Sequence, residues 1–291
     1  ATAAGNILIN ETRPNVKQDS PSNILDRIPA GNVVRIDLIR GQMTGVDMQG
    51  QPVVVNIILR EDSEASVRWE AYVWKNTDVD ILMPGGAISL SNRWNDWDFN
   101  IGVDGNRHGH ATIGSRNSFD ADGNLTEDRN EDIINTHLLI NGNFNASTTV
   151  GETLLQFNTK YRYSKVDETL EADRIPQALG SIPRQEEVVD DRLDKDFELG
   201  VTAERSLTEN LLGKGIFIFN TGTFDETSQQ TVVELPSTQT LFRIADRGNK
   251  SNEAITRFEF DWIGIDSHSI QLNMEGAYNS LDQNFLQTDD T

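Results

Sequence analysis

The chain has 291 residues, no cysteine and a formal charge of −21. That length allows one large or two smaller domains with a substantial core, and the missing thiols exclude a disulfide-stapled small domain and thiolate metal sites. The charge argues against nucleic acid and anionic lipid headgroups as partners.

The charge is uneven. Residues 1–60 carry six Arg/Lys and five Asp/Glu, so the remainder carries −22. The N-terminus, Ala1-Thr2-Ala3-Ala4-Gly5, has neither a basic start nor an apolar segment, so an exported form is expected to have lost its leader. The first sixty residues read as a small mixed α/β unit. Asn6–Ile9 is a short strand, and Ser22–Ile28 one or two helical turns, capped by Ser20 or Ser22 and stopped by Pro29. Val33–Ile39 and the β-branched run Pro52–Leu59 are strands, separated by the glycine-punctuated loop Gln42–Gly50.

From about residue 65 the pattern changes to period two. Thr256, Phe258, Phe260 and Trp262 alternate with Arg257, Glu259 and Asp261, and similar alternation runs through 197–204 and 270–279. Successive strand side chains point to opposite faces, so each run has one oily and one wet side. The runs approach the ~9–11 residues of a tilted membrane-crossing strand. Strands are expected near 65–75, 86–93, 96–105, 132–146, 153–164, 195–206, 213–224, 254–265 and 268–280. Short connections near 92–95, 146–152, 206–212 and 265–267 alternate with long polar loops over 76–85, 106–131, 165–194 and 225–253. That rhythm is the one outer-membrane barrels show. No stretch reaches the ~18 apolar residues of a spanning helix, which leaves a barrel open. Trp69, Trp74, Trp94, Trp97, Tyr161, Tyr163, Trp262 and Tyr278 fall near strand ends, as interfacial girdles require.

The N-terminal motifs carry a resemblance. Gly5–Asn10, Arg13-Pro14, Ile24–Pro29, the run Val33-Val34-Arg35-Ile36-Asp37-Leu38-Ile39-Arg40-Gly41, and Asp47–Gly50 followed by Val53–Leu59 together resemble the plug of TonB-dependent outer-membrane receptors. The strongest piece is the Arg35–Gly41 segment with its preceding valines, similar to the family's V-x-R-I-E-V-I-R-G signature. The match covers most of residues 5–60. The resemblance implies a fold that is mainly β, with a partial plug at 1–60 and the first part of a transmembrane barrel, about nine strands, at 61–291. It implies uptake of a bulky nutrient, a ferric siderophore or oligosaccharide, across the bacterial outer membrane. Its partners would be the small-molecule substrate, outer-membrane lipid and the TonB energy-coupling complex, reached through an N-terminal segment upstream of this chain. Substrate contacts at plug apices would fall on Arg13, Asn15, Met43, Asp47 and Met48. Plug–barrel ion pairs would join Arg35 and Arg40 to inward carboxylates, foremost Glu259 and Glu275.

A plugged transporter barrel has about 22 strands, so nine leave a sheet with open edges near residues 65 and 280. Open edges are not tolerated in lipid, and the chain is expected to be the middle of a receptor. The alternative is a soluble all-β binding or adhesion protein with a small N-terminal α/β domain. In that case Phe258, Phe260, Trp262, Leu272 and Met274 would contact a second sheet. A sensor passing a signal to the periplasm would need an N-terminal extension.

No catalytic constellation stands out, and G-x-S-x-G is absent, so no enzyme is expected and no cofactor is implied. His108-Gly109-His110 offers two imidazoles in a loop without a nearby third ligand, which reads as solvated histidines. Asp120 to Glu131 places oxygen side chains at positions 1, 3, 5, 7, 9 and 12 of a calcium loop, with Asp120, Asp122, Asn124 and Glu131 as candidate Ca2+ ligands. Position 6, however, is Leu125, and the preferred reading is a β-turn at Asp122-Gly123.

Overall fold

The computed structural model describes residues 7–10, 25, 28, 30–40, 53–60, 65–77, 80–236, 239–265 and 268–290. Over these the protein is nearly all β, in two sheets. The first is a mixed three-stranded sheet of β1 (Ile7–Ile9), β2 (Val33–Arg40) and β3 (Val53–Leu59). Central β3 pairs parallel to β1 and antiparallel to β2. Its β-branched residues suit a position paired on both sides, and Leu8, Ile39 and Val54 meet as a small core. These strands match the expected segments within a residue or two. Apart from Leu25 and Ile28, whose backbones share a 2.9 Å hydrogen bond, the expected helix over 22–28 lies outside the described residues.

The second sheet holds nine antiparallel strands, each bonded to its chain neighbours. They are β4 (Ser66–Asn76), β5 (Ile81–Trp94), β6 (Trp97–Phe119), β7 (Leu125–Val150), β8 (Thr153–Pro176), β9 (Arg184–Thr208), β10 (Leu211–Glu234), β11 (Thr240–Ile265) and β12 (His268–Asp290). The outer edges of β4 and β12 pair with no other described strand. The expected nine strands and two open edges are therefore present.

Their lengths correct the sequence reading. The segments 106–131, 165–194 and 225–253 are not loops but largely paired strand, in register throughout except for a shift at Ser118/Phe119, leaving only short tips between β6 and β7, β8 and β9, and β10 and β11. Strands β6 to β12 run 23 to 26 residues, roughly 80 Å each. The alternation fades there because both faces are polar, while the ladder goes on pairing backbone groups. At the opposite end the described connections are two-residue turns at 95–96, 151–152 and 209–210, and Ile265 is paired with His268. Two-residue hairpins need positive φ, which Asn95 (54°) and Gly151 (62°) supply.

Candidate functional site: the two faces of the nine-stranded sheet

Opposed residues on paired strands share a face, so the register sorts every side chain of the large sheet. Among the described residues, twelve of its non-glycine side chains are buried, and ten of these lie on one face, here termed sheltered. Eight of the ten are polar or charged: Glu131, Asn143, Asn158, Ser164, Glu186, Glu198, Thr202 and Glu259. One row across all nine strands reads Arg68, Ser89, Gly102, Asn143, Lys160, Glu198, Asn220, Glu253 and Asn279, without one apolar side chain.

The next row, on the open face, reads Val67, Leu90, Ile101, Phe144, Thr159, Leu199, Phe219, Ala254 and Tyr278. Large apolar residues here stay exposed: Ile101 by 47%, Phe258 by 47% and Leu272 by 57%. Phe258, Leu272 and Met274 meet no second sheet of described residues, contrary to what a sandwich requires. The two buried open-face residues, Ala146 and Thr148, are opposite Phe157 and Trp97, whose rings meet at 5.8 Å. A soluble sheet buries its apolar face and wets its polar one; this sheet does the reverse.

The apolar belt is bounded. On β6 it runs Trp97, Phe99, Ile101, Val103, Gly105 and then Arg107; on β9 it runs Arg205, Ala203, Val201, Leu199, Phe197 and then Lys195. From Trp97 to Arg107 and from Arg205 to Lys195 the strand advances ten steps, about 34 Å. Seven of the eight aromatics expected to form girdles lie on the open face. Trp74 is the exception: it is on the sheltered face and meets Tyr72 edge-on. Trp94, Trp97 and Trp262 mark the turn end of the belt, Trp69, Tyr161 and Tyr163 lie toward its far side, and Tyr278 shares the mid-belt row of Ile101.

Beyond the belt the sheltered face is cross-linked by charge. Arg174 bridges Glu127 (3.1 Å) and Glu186 (2.9 Å). Arg129 reaches Glu127 at 2.9 Å, and Arg116 reaches Glu131 at 2.6 Å. A second group joins Arg192 to Glu226 (2.7 Å) and Asp190 (3.1 Å), with Arg247 also on Glu226. Burial works to raise the Glu127 pKa, but hydrogen bonds from Arg129 and Arg174 overcome it and hold the carboxyl below its usual range. Nine of the eleven arginines in β6 to β12 point to this face. Arginine's rigid fork suits such multivalent pairing.

A cavity of about 280 Å³ opens on the sheltered side of β4 to β8, lined by Arg68, Glu70, Tyr72, Asp104, Asn141, Asn143 and Lys160 among others. Asn141 donates to Asp104 at 2.8 Å. Gly102 keeps the cavity open, since a Cβ there would lie 2.8 Å from the Asn143 amide oxygen. The lining offers hydrogen bonds and charges of both signs, the chemistry of a polar solute contact.

The expected site residues fall as follows. Arg13, Asn15, Met43, Asp47 and Met48 lie outside the described residues. Arg35 pairs with Asp37 on its own strand at 3.0 Å, and Arg40 is exposed at the end of β2. Glu259 and Glu275 both engage Arg257, and Lys214 lies 4.0 Å from Glu259. Asp120, Asp122 and Asn124 come together at the β6–β7 tip, where Asp120 Oδ1 accepts the backbone N–H of Asp122 and Asn124 at 3.0 and 2.8 Å. The Asn124 side-chain amide adds to these bonds and holds the Asp120 pKa below its ordinary value. Glu131 is back on β7 with Arg116. Among the described residues no cluster of three or more metal-binding side chains occurs.

His108-Gly109-His110 is strand, not loop. The imidazole that meets His108 is His137, across the β6–β7 ladder, at 3.1 Å, and His137 also contacts Ser164 at 2.9 Å. His137 falls in the expected strand 132–146 but His108 in an expected loop, so the sequence pattern does not pair them.

No family model matches the chain, and no curated protein matches it. Among solved structures, it is similar to the siderophore receptor PirA from Pseudomonas aeruginosa, with TM-score 0.19 and 10% identity over 98% of this chain and 78% of that one. For the siderophore receptor PiuA from Acinetobacter baumannii the values are 0.20 and 8%, over 97% and 55%. For the ferripyoverdine receptor of the Pseudomonas aeruginosa outer membrane, bound to ferripyoverdine, they are 0.16 and 10%, over 96% and 64%. Likenesses of that size carry no functional argument.

Proposed function

We propose that the nine-stranded sheet is a segment of an outer-membrane β-barrel wall, with lipid on its open face and water and solute on its sheltered face. The observation that carries this is the inversion of the two faces. The ten steps between the residues that bound the belt, about 34 Å, subtend about 24 Å at a ~45° tilt, so the apolar stretch between them fits within the ~25 Å apolar band of such barrels. Between its two outer edges the ladder pairs the backbone groups of neighbouring strands, as strands in hydrocarbon must.

The chain then acts as a receptor in TonB-dependent uptake rather than as an enzyme, with residues 1–60 as part of a plug and residues 61–291 as the first part of the barrel. The resemblance of residues 5–60 and their three-stranded sheet support this. A ferric siderophore or an oligosaccharide remains the substrate class, meeting the plug apices and the polar wall. Plug arginines Arg35 and Arg40 would exchange partners with wall carboxylates as the plug moves. The TonB complex would act through a segment upstream. The soluble-adhesin reading is disfavoured by the exposed aromatic belt.

The membrane reading is tested by floating the protein with phosphatidylcholine vesicles and extracting at alkaline pH. Retention in the bilayer is expected, and quantitative release would reject it. Energy-dependent accumulation of labelled ferric siderophore by cells carrying the protein tests the uptake reading.

A further inference from the structure

The open face carries five cations over β6 to β12, and four of them lie in two adjacent rows immediately beyond the apolar belt. Arg107 and Lys165 share one row, on β6 and β8. Lys195 and Lys250 share the row two residues nearer the belt, on β9 and β11. The fifth, Arg205, is at the turn end with Glu152. Strands are ~4.8 Å apart, and diagonal neighbours on adjacent strands ~7–8 Å, so each cation of the belt lies within about 10 Å of the next.

Tyr163 is opposite Lys195 within that level, the pairing of an interfacial ring with a snorkelling ammonium. Arg107, Lys195 and Lys250 are exposed, and among the described residues no ion pair engages them. Lys165 reaches outward to Asp167 and Asp191, while Asp282 lies opposite Lys250. Beyond these rows the face turns acidic at Asp167, Asp191 and Asp246.

We propose that Arg107, Lys165, Lys195 and Lys250 form a seat for the phosphates of anionic lipid headgroups in the leaflet nearest the long hairpins. The net charge of −21 argued against such a partner, but a net charge averages over surface that no headgroup touches. Along the open face the uncharged belt gives way to two rows that hold these four cations with two carboxylates, Asp225 and Asp282, and then to a row carrying Asp167, Asp191 and Asp246, which places the cations at headgroup level. An ammonium is a compact point charge suited to phosphate. This inference rests on the membrane reading above.

The test measures the association of spin-labelled phosphatidylglycerol against spin-labelled phosphatidylcholine with the bilayer-inserted protein. The wild type is expected to prefer the anionic lipid, by roughly fivefold for each lysine engaged, and to lose the preference in high salt. The K165Q/K195Q/K250Q variant should show no preference, and R107Q alone a smaller loss. Inorganic phosphate in excess should leave the wild-type preference in place, which separates a headgroup from free phosphate. An inserted wild type without preference, or a triple variant retaining it, overturns the proposal. Failure of the wild type to insert at all rejects the membrane reading instead. Should the triple variant fail to fold, K250Q and K195Q singly carry the same comparison.

Discussion

Ile101 and Ile113 lie on the same strand and the same face, one within the apolar belt and one beyond Arg107, and they are 47% and 68% exposed. In water, replacing either by arginine would change stability by no more than ~0.5 kcal/mol, since neither packs in a core. In a bilayer the two differ. Ile101 is near the middle of the span from Trp97 to Arg107, where an arginine facing lipid costs roughly 2–4 kcal/mol. Ile113 is six residues past Arg107, in water by the same geometry. Ile101→Arg is therefore expected to lose about 3 kcal/mol and Ile113→Arg close to nothing. Denaturant titration of the protein folded into phosphatidylcholine vesicles, read by tryptophan fluorescence, measures both. Equal effects at the two positions would refute the depth argument, as would a neutral Ile101→Arg.

The ion pairs of the long hairpins give two further expectations. Arg174, about one-fifth exposed, holds Glu127 and Glu186. Arg174→Ala should fall between the ~0.2–1 kcal/mol of an exposed pair and the ~3–5 of a buried one, near 2 kcal/mol. Amide exchange at the outer ends of β8 and β9 should then quicken about 30-fold; unchanged exchange would remove the network's structural role. Because the Glu127 pKa is depressed in the folded protein, its contribution is fully present above the ordinary glutamate value of ~4.3 and lost as pH falls through the depressed one. Hairpin protection should accordingly drop in that acidic window, and Glu127→Gln should flatten the drop. Gly86→Val would place a Cβ 2.6 Å from the Glu70 carbonyl oxygen, whereas Gly114 has nothing within 4 Å. The first should loosen β4–β5 pairing by about 1–3 kcal/mol, while Gly114→Val should not, as exchange of the Val67 to Val73 amides would report.

What the sequence disclosed follows the contrast between environments. Phe258-Glu259-Phe260-Asp261 alternates because one face meets an apolar medium and the other a polar one; the turn ends of such strands are legible in the sequence, whereas their far ends run on well beyond the alternating stretch. In Thr223 to Glu234 both faces meet water; alternation disappears although the ladder to β9 and β11 continues. Strand there is held by cross-strand polar pairs such as Arg192–Glu226, which a single strand cannot announce. The His108–His137 contact and the Arg174 bridge join residues 29 and 47 positions apart, so local pattern could not name them. The cation level was hidden for the same reason, since Arg107, Lys165, Lys195 and Lys250 align only once the register of six strands is known.

The central claim is that the exposed apolar face meets lipid and the sheltered polar face meets water. The chain has no cysteine, so single cysteines at Ile101, Leu199 and Phe258, and at Asn143, Thr202 and Glu259, can each carry one nitroxide. In the vesicle-bound protein, collision with oxygen should dominate at the first three and collision with a water-soluble nickel chelate at the last three. Equal chelate access at both sets, or the reverse pattern, would contradict the account.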